Sequence, residues 1–151
     1  MHHNLENSPS WGRWSRELEL LVDWLLDNEA MSDGDALRRL AELIRHAPHP
    51  ELAEGVVALE PTMIEHLLAA GAAETLALRL ISADSGFFVS RGAAGEYLVS
   101  VVLADRGGET TAAGTSLARA VVCALAMTLS RPVQPATAPL MAQAAAGATL
   151  H

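Results

Sequence analysis

From Ser116 to Leu129 the chain reads SLARAVVCALAMTL, a stretch of helical length with Arg119 as its one charge and no polar stripe. A helix that is apolar all round has to be buried on every side. Thr115 or Ser116 supplies a capping hydroxyl after Gly114, and Arg131-Pro132 ends the helix, because proline cannot continue it. The run falls short of the ~18 apolar residues that a membrane span requires. The fold is therefore expected to be built around residues 115–130, with the rest of the chain supplying their cover. Ala112, Ala113 and Gly114 would let the backbone come close to a neighbouring layer, and Leu117, Val121 and Leu125 would fill the space between.

The expected cover is a sheet. Leu76, Leu78 and Leu80 alternate with Ala77, Arg79 and Ile81, which reads as a strand. Ala83-Asp84-Ser85-Gly86 is a turn, and Phe87 to Arg91 is a second strand. Gly92-Ala93-Ala94-Gly95 has a common hairpin length. Tyr97 to Ala104 is a third strand, with Tyr97, Val99, Val101 and Leu103 on one face. Three strands joined by short turns over 75–104 predict an antiparallel meander. Its outer face, with Arg79 and Ser100 among apolar residues, is left for the N-terminal helices or a second subunit to cover.

The N-terminal part is helical in period. Residues 1–9 are polar and read as a flexible arm. Trp11, Trp14, Leu18, Leu21, Val22 and Leu25 then form one stripe, and Leu20 and Trp24 form a smaller second patch. Ser32 followed by Asp35 is a capping-box variant that opens a second helix with Leu37, Leu40, Ala41 and Ile44 on one face. His46-Ala47-Pro48-His49-Pro50 stops it. A short helix is expected over Glu51–Leu59. Another starts at Pro61 or Thr62, where Thr62 and Glu65 repeat the capping pattern, and it ends at Gly71. Residues 132–151 read as an Ala/Pro-rich tail, within which Leu140–Ala146 has the composition of a short helix. Helices, then a meander, then a final helix packed on the sheet define an α+β fold. It is expected as one domain over 10–131, with 10–71 helical.

Charge narrows the function. The net charge is −8, and all ten basic residues are arginine. Residues 1–84 carry fifteen acids and six arginines (−9), whereas 85–151 carry three acids and four arginines (+1). The acidic part repels nucleic acid and anionic membrane. Cys123 is the only cysteine, so no intramolecular disulfide forms. That fits a reducing compartment. The polar opening Met1-His2-His3-Asn4 has no signal-peptide core, and a cytoplasmic location is expected.

No catalytic constellation emerges. His46 and His49 make an H-x-x-H spacing, with His66 and several acids near in sequence, but the pair sits in a loop with two prolines rather than on one helix face. Cys123 lies in the most apolar helix and reads as a small buried hydrophobe. Ser85, Ser90, Ser100 and Ser116 lack a nucleophile elbow. Asp33 and Asp35 sit at a helix start, where the dipole accounts for them. Gly107-Gly108 lacks the lysine of a P-loop and the three-glycine fingerprint. Trp11 and Trp14 read as core, and Trp24 as the better candidate for an interface. No catalytic, cofactor-binding or metal-binding residue is assigned, and no cofactor is expected.

Two families share features with the C-terminal half. The expected β-β-β-α order ending in Gly114-Thr115-Ser116-Leu117-Ala118-Arg119-Ala120 resembles a double-stranded RNA-binding domain. That family grips phosphates with lysines at the start of its last helix, and this stretch offers only Arg119, so a shared shape without RNA binding is implied. Ala113, Thr115, Leu117, Ala118, Ala124 and Leu125 resemble the small-residue helix start of the phage ABA sandwich domain, found in prophage and bacterial proteins. That resemblance covers the last two strands and the final helix. It implies a helix–sheet–helix sandwich and supplies no catalytic residues. The expected function is a non-enzymatic interaction or assembly module, phage-related, that forms a homodimer or binds a protein partner, with no nucleic acid and no membrane. The alternative is a small metal-dependent enzyme using His46, His49 and a third ligand such as His66.

Overall fold

The computed structural model describes residues 8–27 and 31–132. Most of the expected arm and all of the tail beyond residue 132, including Leu140–Ala146, lie outside the described residues. The elements are α1 (Pro9–Asp27), α2 (Asp33–Arg45), α3 (Pro61–Ala69), α4 (Ala73–Arg79), β1 (Gly86–Arg91), β2 (Tyr97–Val102), β3 (Thr110–Gly114) and α5 (Leu117–Leu129). The fold is α+β, with a three-stranded antiparallel sheet in the order β1-β2-β3 and α5 packed on it.

The sheet is a meander, but its strands are not all the expected ones. Of the segment 76–81, read from its alternation as a strand, residues 76–79 belong to α4, Leu80 caps that helix and Ile81 forms only an isolated bridge. Leu76, Ala77 and Leu80 are fully buried at helical spacing, and Leu78 is only partly buried. Short apolar runs satisfy both periods, and here the Ala, Leu, Glu and Arg content favours the helix. The third strand is instead β3, and the sheet spans 86–114 rather than 75–104. Val99 sits between Val89 and Ala112, and Ser100 between Phe88 and Thr111, so each row crosses all three strands. The expected helix over Glu51–Leu59 shrinks to a 3-10 turn at Pro50–Ala53, followed by an isolated bridge between Val56 and Ile81.

Caps explain where the helices begin. Ser32 Oγ accepts from Asp35 N–H at 3.0 Å and Ser116 Oγ from Arg119 N–H at 3.1 Å, as the sequence pattern requires. Thr62 does not cap α3; Glu60 holds the cap position without a side-chain hydrogen bond, and Pro61 takes the first helical position, where its missing N–H costs nothing. Pro9 likewise opens α1, so the expected arm is already helical at its last residue.

Helix α5 is the centre of the molecule. It lies over β3 and β2, while α1, α2 and α4 pack around it. Every residue from Ala118 to Ala126 is buried. Val121 and Leu125 are fully buried, and Leu117 at its first turn is partly buried. Gly114 permits the approach: a Cβ there would stand 2.6 Å from Ala120 N. Gly55, at φ +90°, plays the same part on the other flank, where a Cβ would meet Leu103 Cβ at 2.7 Å.

Candidate functional site

Among the described residues the helices gather on the α5 side of the sheet, and none covers its other face. Alternation along each strand sends Val99, Val101 and Ala112 inward, where they are buried. The outer face carries Phe88 and Ser90 from β1, Leu98, Ser100 and Val102 from β2, and Thr111 and Ala113 from β3. None of these is charged. Ser100 and Thr111 hydroxyls share a hydrogen bond at 2.6 Å, which leaves this polar pair less in need of water. Phe88 is 67% exposed, Val102 45% and Leu98 37%. Neighbouring strands stand ~4.8 Å apart and residues advance ~3.3 Å, so the face measures roughly 14 by 20 Å.

Strand β1 differs from its neighbours in having no buried residue. Helix α5 covers β3 and β2, so the inward side of β1 is only partly covered: Val89 packs against the edge of the core, while Phe87 is 49% exposed. The two phenylalanines thus project from opposite faces of one edge strand. Its far end is marked by Arg91, whose guanidinium lies 5.6 Å from the centre of the Tyr97 ring.

The remaining predicted residues are placed as follows. Trp11 and Trp14 are core residues, with ring centres 5.9 Å apart, and Trp14 Nε1 donates to Leu43 O at 2.7 Å. Trp24 is 56% exposed, with Leu20 and Leu26 also exposed on α1. His46 follows α2, His49 precedes the 3-10 turn and His66 lies in the last turn of α3. His46 Nδ1 is 2.8 Å from Glu42 O. Among the described residues no three His, Cys, Asp or Glu side chains are grouped so as to hold a metal ion. Cys123 is buried, with Sγ 3.8 Å from Met127 Sδ, and burial pushes its thiol pKa up. Asp35 pairs with Arg38 at 3.0 Å, and Asp33 lies 3.7 Å from Arg119.

Two buried arginines carry more structure than the sequence reading assigned them. Arg119 Nη1 donates to Met31 O at 2.5 Å and Nη2 to Leu25 O at 3.4 Å, tying α5 to the end of α1 and the approach to α2. Arg106 donates to Leu52 O and, at 3.5 Å, to Thr128 O. Burial lowers its pKa, and Glu54 opposes that shift. Arg119 was visible as the single charge in an apolar helix. Nothing local singles out Arg106. A cleft of about 260 Å³ lies beside β3, lined by Leu25, Leu26, Glu96, Ala113, Gly114 and Arg119 among others. Cys123 borders it, but no base accompanies the thiol among the hydrogen bonds it makes.

The arrangement is suited to apolar contact. No protein-family profile, curated protein or solved structure matches the chain. Among the described residues no helix is long and apolar enough to cross a membrane.

Proposed function

We propose that the protein is a non-enzymatic assembly module that works by associating with a second copy of itself. The observation that carries this reading is the exposed apolar surface of the sheet at β1 and β2, with Phe87, Phe88, Leu98 and Val102 exposed. On a chain of net charge −8, most of the surface repels another copy. The acids concentrate before residue 85, ahead of the sheet, so copies that meet through the sheet keep most of them out of the contact. The same charge disfavours nucleic acid as a partner. A cytoplasmic location belongs to this proposal and is supported by the single, buried Cys123. A phage-related origin belongs to it too, supported by the residue pattern from Ala113 to Leu125.

Sedimentation velocity over a concentration series tests the reading. The expected result is a monomer–dimer equilibrium. The open face is small against the ~800 Å² per partner of a standard interface, so the dimer is expected to be reversible. A monomer persisting at high micromolar concentration overturns the proposal.

A further inference from the structure

The geometry points to β1 as the contact: two copies join by antiparallel pairing of β1 with β1 of the second copy, making one six-stranded sheet. This rests on the self-association proposed above and specifies its mode. An edge strand offers unpaired N–H and C=O groups, and proteins ordinarily guard it with lysine, proline, a bulge or a covering element. The sequence Gly86-Phe87-Phe88-Val89-Ser90-Arg91 has no lysine or proline, pairs with β2 without a bulge, and has no buried residue. The other edge is different. β3 is five residues of Thr, Ala and Gly, and Leu25 and Leu26 of α1 line the cleft beside it.

Self-pairing accounts for both phenylalanines, which stacking through the outer face does not. A two-fold axis through the sheet must set outward residues opposite outward residues. Centred on Phe88, it places Phe88 against its copy on the outer face and Phe87 against Val89 of the copy on the helix side. The phenylalanine rings then lie within the reach of a cross-strand aromatic pair. The same register brings Arg91 of each copy to the end of the joint where the Asp84–Ser85 turn leads into β1 of the other, so an arginine and an acid lie near one another at both ends. All of these side chains are exposed or half-buried in the single chain.

Two substitutions separate this mode from face-to-face stacking. Phe87 points away from the outer face, and Leu98 lies on it in the central strand. Edge pairing predicts that Phe87→Lys weakens the dimer about tenfold or more, as expected for a charge placed at the centre of a contact, while Leu98→Lys leaves it nearly unchanged. The reverse order overturns edge pairing and leaves self-association standing, and a monomeric unsubstituted protein overturns both. A distance measurement checks the result without touching β1. Phe88, Ser100 and Thr111 share one row across the strands. Spin labels on Thr111→Cys in a Cys123→Ala background are therefore expected five strand spacings apart, about 24 Å between backbones. Sheets stacked face to face would be separated by only about 10 Å, and that result overturns edge pairing.

Discussion

Leu125 and Cys123 sit two residues apart in α5 and answer different questions. Leu125 is fully exposed to its neighbours and not at all to water. Truncating it to alanine is expected to cost about 2–5 kcal/mol in chemical denaturation, the usual range for a buried leucine whose site cannot collapse. Cys123 should be inert in the native state: thiol reagents are expected to label it only at the rate at which the protein opens. Its raised pKa also has a consequence for stability. The thiol keeps its proton longer in the folded chain than in the unfolded one, whose reference value is 9.0. The contribution is fully present below that value and is lost as pH rises through it toward the folded pKa. Urea denaturation from pH 7 to 10 should show this decline, and Cys123→Ala should remove that share of it. The burial of both residues was legible in the sequence, since no orientation of SLARAVVCALAMTL leaves a wet side. The role of Arg119 was only half legible. Its charge stood out, but its carbonyl partners at Met31 and Leu25 lie 88 and 94 residues away in sequence.

Among the elements, α2 and α5 show how far local chemistry reaches. Ser32 and Ser116 were readable as caps because a hydroxyl just before a helical period has one useful thing to do, which is to accept from the exposed N–H groups of the first turn. Ser116→Ala is expected to cost about 1 kcal/mol by denaturation. Restoring the cap with Asp at the same position should recover most of it, which a merely volumetric effect would not do. The strands were less legible. β3 is Thr-Thr-Ala-Ala-Gly, with too little apolar area to announce itself. It is a strand because β2 pairs with it and because Gly114 lets α5 come within reach of its backbone. The alternating leucines of α4 were misleading for the complementary reason. Leu76 and Leu80 are four apart as well as even-numbered, so burial against α5 fits a helix as readily as a sheet.

For the molecule as a whole, the α+β class followed from the order of periods along the chain, whereas the open sheet face did not. Its exposure depends on where α1, α2 and α4 pack, and they pack on α5 instead of on the free side of the sheet. The sequence pointed to Trp24, which is exposed, and left the outer sheet face to either the N-terminal helices or a second subunit, while Phe87 and Phe88 drew attention only as strand residues. The central place of α5 also has a meaning in time. It is the last of the described elements to be made, and α1, α2, α4 and the sheet all converge on it. As the chain leaves the ribosome, those earlier pieces have only one another to touch, and the apolar surfaces that later enclose α5 stay wet. The contact of α5 with β3 closes only a short loop, whereas its contacts with α1 and α2 join residues far apart along the chain, and such distant contacts slow folding. Until residues 117–129 arrive, the leucine faces of α1, α2 and α4 lack the element that buries them, and an incomplete chain is correspondingly prone to aggregate.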